Sequence, residues 1–116
     1  MLSYRATFDA LRSADTTAIG TSYAIVGTAS AFVIVAVKFT NLTNGDVVVS
    51  LDGTTDMIYV PANSFTLYDL RTNASYETDY ALPIGTAFFA KDGTTIGTNG
   101  LFYIETLVGK PILGGP

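Results

Sequence analysis

Phe32-Val-Ile-Val-Ala-Val-Lys-Phe-Thr40 is the stretch that decides the fold. In an extended chain side chains alternate, so Val33, Val35, Val37 and Phe39 share one face and Phe32, Ile34 and Ala36 the other. Polar residues, Lys38 and Thr40, enter only at its end. A strand apolar on both faces is covered on both faces, so the reading places it centrally in a sheet over at least its first half. No helix competes for these residues. No segment of the chain repeats apolar positions at i, i+3, i+4 and i+7 between helix caps.

Working outward, Asn41-Leu-Thr-Asn-Gly-Asp46 supplies a turn, with Asn-Gly as the hairpin signal. Residues 46–51 follow as a strand, Val47, Val49 and Leu51 inward, Val48 and Ser50 outward. Asp52-Gly-Thr-Thr-Asp56 turns the chain, 57–60 is a short strand stopped by Pro61, and 62–64 turns it again. Residues 65–70 return with Phe65 and Leu67 opposite Tyr68 and Leu70. Residues 71–82 are the longest polar connection, and Pro83 gives the next strand an extended entry. Residues 86–91 and 101–108 then read as a closing pair around 92–100.

Toward the start, 22–26 is a short strand and 11–17 a polar linker. Leu2, Tyr4, Ala6 and Phe8 alternate with Ser3, Arg5 and Thr7 as a strand or arm. Strands about ten residues apart define the class. The expectation is all-β: a single antiparallel β-sandwich, jelly-roll or immunoglobulin-like, of about seven or eight short strands with an extended N-terminal arm. One domain covers 1–116, with the arm and first strands over 1–30, the sandwich core over 31–109 and a flexible tail over 110–116. Two echoes, Asp52-Gly-Thr-Thr with Asp92-Gly-Thr-Thr and Thr43-Asn-Gly with Thr98-Asn-Gly, read as reuse of one turn chemistry.

Composition limits the function. The 116 residues suit one domain whose core needs no staples. There is no Cys, His or Trp, which excludes disulfides, thiolate or imidazole metal sites, and every nucleophile–histidine pair. With 48% hydrophobic and 14% charged residues the chain is not disordered by composition. The net charge is −4, and Arg5, Arg12, Lys38, Arg71, Lys91 and Lys110 are scattered, so the basic stripe of a nucleic-acid binder is missing. Residues 18–37 carry no charge and are long enough for a membrane helix. Gly20, Thr21, Ser22, Gly27, Thr28 and Ser30 interrupt that stretch, and Asp9 and Asp15 precede it where a signal would be basic. It reads as two strands with a break, and no membrane or secretory role is expected.

Few constellations could carry chemistry. Asp52-Gly-Thr-Thr-Asp56 lacks the alternating ligands and distal Glu of a calcium loop and reads as a hairpin turn. Glu77 with Asp79, or Asp69 with Glu105, are the carboxylate pairs a glycosidase would need, yet a domain this small offers little cleft wall. No enzyme, cofactor or metal is expected. Asn41-Leu-Thr43 and Asn73-Ala-Ser75 match the glycosylation sequon, which without a secretory signal reads as chance. Tyr59, Tyr68, Tyr76 and Tyr80 are the candidate contact aromatics, either a sugar platform or protein interface, or the rim of the core. Tyr4 and Phe8 on the arm complete the candidate interface set.

The centre of the chain also resembles a known pattern. Val37-Lys-Phe-Thr-Asn-Leu-Thr-Asn-Gly-Asp-Val-Val-Val-Ser-Leu-Asp-Gly53, then Val60-Pro-Ala-Asn-Ser64 and Tyr68-Asp-Leu-Arg-Thr-Asn73, with Tyr23-Ala-Ile-Val-Gly27 ahead of them, is similar to small virion structural proteins of tailed bacteriophages. The resemblance spans about residues 20–108. It implies a non-enzymatic virion component, assembled in the host cytoplasm as a homo-oligomeric ring or lattice at the neck, collar or tail, with a head-decoration protein as the alternative. The implied partners are further copies of the chain and portal, connector, tail or capsid proteins. From a different class, a small carbohydrate-binding or adhesin module using Tyr76 and Tyr80 is the rival expectation.

Overall fold

The computed structural model describes residues 3–70 and 81–112. Nine strands run in chain order: β1 (Ser3–Phe8), β2 (Arg12–Asp15), β3 (Ala24–Ile25), β4 (Val33–Thr43), β5 (Val47–Ser50), β6 (Ile58–Val60), β7 (Ser64–Asp69), β8 (Phe89–Asp92) and β9 (Gly100–Ile112). No helix occurs among the described residues. The chain is an antiparallel sandwich, as its alternating apolar pattern requires.

The pairing is nested about the turn that joins β5 to β6. β5 pairs β6, β4 pairs β7, β3 pairs β8 and β2 pairs β9, all antiparallel. The chain is therefore one long ribbon, which rolls up so that β4 also meets β9 and β5 also meets β8. The result is a sheet of order β1-β9-β4-β7, with β2 also on β9, facing a sheet of order β3-β8-β5-β6. From β2 to β9 this is the strand order of a jelly roll. Beyond Val33↔Gly109 the first sheet narrows to β1 against the end of β9. The molecule extends 52 Å with 25 and 23 Å across.

The core lies between the sheets around Phe39. Its ring meets Phe88 edge-on at 5.7 Å and stacks on Phe102 at 6.5 Å, geometries that add to the gain from burial. Ile34, Val37, Val49, Val60, Ile104 and Val108 fill the space beside them. β4 sits between β9 and β7 as its apolar faces required, but its alternation is not strict. A bulge between Ile34 and Ala36 lets Ile34 join Val37 and Phe39 inside, and leaves Val33 and Val35 half-buried.

Several expectations change. Asn44-Gly45 does not close a hairpin: β4 and β5 lie in different sheets, and the dipeptide carries the chain from one to the other. Residues 86–91 and 101–108 are likewise not a closing pair, because β8 and β9 also lie in opposite sheets. The two crossings run side by side, so the two Thr-Asn-Gly echoes meet. The Asn44 carboxamide oxygen accepts from the Thr98 and Asn99 N–H groups at 2.7 and 3.2 Å, and its nitrogen donates to Thr98 Oγ1 at 2.7 Å. The Asp-Gly-Thr-Thr echoes use different carboxylates. Asp52 Oδ1 accepts the N–H groups of Thr54 and Thr55 in its own turn, both at 2.8 Å. The matching N–H groups of Thr94 and Thr95 go instead to Asp46, at 3.0 and 2.7 Å.

The expected linker 11–17 contains β2. Arg12 points inward, 6% exposed, where its guanidinium donates to Thr106 Oγ1 and the Thr28 carbonyl, both at 3.1 Å, and lies 5.5 Å from the Phe88 ring. A charged residue at an inward position breaks the apolar pattern that marks a strand, which hides it from a periodicity reading. Residues 110–112, expected in the tail, belong to β9 because β1 pairs with them. Of the N-terminal arm and first strands expected over 1–30, residues 3–8 and 12–15 lie along β9 of the same chain.

Asp46 couples the crossing to pH. Burial would raise its carboxyl, but the N–H groups of Thr95 and Thr94 and the Tyr59 hydroxyl outweigh it and hold it below the ordinary 3.8. A folded-state value below the unfolded one stabilises the fold above the unfolded value, and that contribution disappears as pH falls through the folded one. Asp46→Asn, which turns an amide NH2 toward backbone donors, is expected to cost about 1.5–3 kcal/mol at neutral pH. The gap between wild type and variant should begin to narrow in melts once pH falls below the ordinary 3.8, and close as pH falls through the lower folded-state value. A gap that is constant with pH would show that the charge of Asp46 plays no part.

Candidate interaction surface

In β4, Phe39, Asn41 and Thr43 are buried, so Lys38, Thr40 and Leu42 face away from the core. Register extends this outer face across three strands. Lys38 lies between Leu67 of β7 and Glu105 of β9, Thr40 between Phe65 and Tyr103, and Leu42 beside Leu101. Phe65 is 61% exposed, Leu67 59%, Leu42 54% and Leu101 41%. Lys38 covers part of this surface, its ammonium 4.7 Å from the Phe65 ring centre. The Thr40 hydroxyl oxygen is buried and has no hydrogen-bond partner among the described residues. Single exposed apolar residues are ordinary, but a contiguous band of them marks a surface that meets something.

The outer face of the other sheet exposes Ile25 and Tyr59 beside a polar cluster. Burial first, then the Asp56 carboxylate, pushes the Tyr23 phenol up to about 12, so it remains a hydrogen-bond donor to Asp56 at 2.5 Å. Lys91 lies 3.1 Å from the same carboxylate and 4.7 Å from the Tyr23 ring centre. These contacts tie residue 23 to the turn before β6 and leave none of the three groups unengaged.

The sequence-derived candidates do not gather at one place. Phe8, 76% exposed, is on the outer face of β1 opposite Leu107. Tyr59 is exposed on the outer face of β6, with its hydroxyl on Asp46. Tyr68 points to the inner side of β7, edge-on to Phe39 at 6.3 Å. Tyr4 lies on β1 opposite Pro111. Tyr76 and Tyr80 lie outside the described residues, as do Glu77, Asp79 and Asn73. Asp69 and Glu105 are exposed on the outer face with β4 between them. Asn41, in the first sequon, is fully buried with its amide engaged, so the folded chain offers no acceptor there.

Sequence reasoning missed Leu42, Leu101 and Tyr103, and paired Phe65 with Leu67 without knowing which way they face. The available signal was parity: residues two apart share a face, but only the position of β7 in the sheet decides which face is covered.

The fold and this face define a jelly-roll sandwich with an exposed apolar sheet. Comparison with family models, with curated proteins and with solved structures finds no match.

Proposed function

We propose that the chain is a non-enzymatic structural subunit that works by assembling with copies of itself and with other proteins of a tailed-bacteriophage particle. The phage setting rests on the resemblance across residues 20–108. Jelly rolls occur among viral capsid domains and among lectins alike, and a fold by itself carries no function. The observation that carries assembly is the exposed band of Leu42, Phe65, Leu67 and Leu101. Burying such a band recovers roughly 25 cal/mol for each Å² removed from water.

The test is the mass of the purified chain by light scattering, and its co-sedimentation with portal, tail and capsid proteins. Expected is a mass that is a multiple of 12.3 kDa, reduced by Phe65→Asp with Leu67→Asp, two outward positions whose change leaves the core intact. A strict monomer at high concentration, with no affinity for particle proteins, would overturn the reading. The carbohydrate module would use Tyr76 and Tyr80, which lie outside the described residues, and no specific observation favours it.

A further inference from the structure

We infer that β7 pairs edge to edge with β7 of a second copy, antiparallel about a two-fold axis through Thr66, so that two first sheets become one. This rests on the assembly reading above and names the surface that performs it.

Three observations carry the inference. The first is the edge itself. β7 ends the order β1-β9-β4-β7, and over six residues, Ser64–Asp69, it has no proline, lysine or bulge, the devices that keep free edges from pairing. The second is the direction of its backbone groups. Leu70 donates its N–H to the Val35 carbonyl, and alternation then turns the groups of Tyr68, Thr66 and Ser64 toward β4. The N–H and C=O groups of Phe65 and Leu67 point the other way, off the sheet, where no hydrogen bond meets them among the described residues.

The third is self-complementarity. A two-fold perpendicular to the sheet keeps both outer faces on one side. With the axis at Thr66, Phe65 of each copy faces Leu67 of the other, and each such pair exchanges two backbone hydrogen bonds. The side chains brought together are the two most exposed apolar ones of β7, an aromatic–aliphatic pair of the kind that stabilises sheets. Centring on Leu67 instead would set Phe65 against Asp69 of the partner. The Thr66 register brings no like charges opposite one another. Along the same edge the sheets part in an apolar cleft of about 330 Å³ lined by Val37, Phe39, Met57, Tyr68 and Leu70. A second β7 continues the wall of that cleft.

The register makes an unusual test possible because the chain has no cysteine. Thr66 would face its own symmetry mate in a non-hydrogen-bonded pair, whose Cα separation of about 4.5 Å lies within disulfide range. Thr66→Cys should therefore convert to a covalent dimer under mild oxidation. Phe65→Cys, offset from its mate by two residues, and Thr54→Cys, in the turn before β6, should stay monomeric on a denaturing gel. Leu67→Pro removes an N–H that only the dimer uses, so it should abolish association while the melting temperature of the monomer changes little.

If the wild-type chain is monomeric at every concentration the inference falls, and if that monomer also has no affinity for portal, tail or capsid proteins the assembly reading falls with it. If it associates but Thr66→Cys does not cross-link and Leu67→Pro still associates, assembly stands, this edge is not its interface, and the inference alone is overturned. Cross-linking at Thr66 together with dissociation by Leu67→Pro supports both.

Discussion

Asn41→Leu is expected to destabilise the protein by about 3–4 kcal/mol, read as a lower midpoint in urea unfolding at unchanged slope. Leucine matches asparagine in size, so packing is not what is lost. The Asn41 amide nitrogen donates to the carbonyls of Gly45, Val60 and Pro61 at 2.9, 3.1 and 3.2 Å. Its oxygen accepts from the Thr43 N–H at 3.0 Å and the Thr43 hydroxyl at 2.7 Å. One fully buried side chain thus joins the end of β4, the crossing into β5, and the end of β6. Leucine takes the shared donor away, so that Gly45 and Pro61 keep only the hydroxyls of Thr43 and Ser64, at 2.8 and 2.6 Å, and the buried Thr43 N–H loses its acceptor; an unsatisfied buried polar group costs about 1–3 kcal/mol. Against a total stability of about 5–15 kcal/mol, this is a large share. A loss below about 1 kcal/mol would mean that water or a relaxed backbone replaces the amide.

Gly100→Ala should be at least as damaging, at about 3 kcal/mol or more, and is expected to shift the chain into the insoluble fraction on expression. Gly100 opens β9 with φ at +107°, a region that side chains rarely tolerate. A Cβ there would lie 2.1 Å from the Leu42 carbonyl oxygen and 2.7 Å from the Thr43 Cα. Both are backbone atoms of β4, so relief requires moving the strand at the centre of the sheet. Gly20→Ala is the control: nothing lies within 4 Å of a Cβ at that position, and its melting temperature should stay close to that of the wild type. Equal behaviour of the two variants would refute the close approach of β9 to β4 at this end.

Both predictions fall on the end of the sandwich where the chain changes sheets, which is where the sequence reading failed. Asn44-Gly45 carries the signature of a tight hairpin. Local propensity cannot register that the next strand belongs to another sheet, because the partners that redirect Asn44 are Thr98 and Asn99, more than fifty positions away. The same distance concealed Arg12, whose inward turn depends on Thr106 and Phe88. Where contacts were local, the reading held. Pro61 ends β6, Asn63 adopts the left-handed conformation in the following turn, and Asp52 closes its own loop.

The sequence alone therefore determined the class: period-two alternation, turn residues every ten positions and no helical periodicity allow only antiparallel β structure. It also placed β4 centrally in its sheet, between β9 and β7, although the coverage expected of both its faces holds for the inner face alone. The tertiary structure decided what depends on distant partners: the rolled ribbon, the two sheet crossings, the burial of Asn41 and Arg12, and that Phe65 and Leu67 face outward from β7. Side-chain alternation sorts residues onto two faces, but only packing decides which of the two faces water.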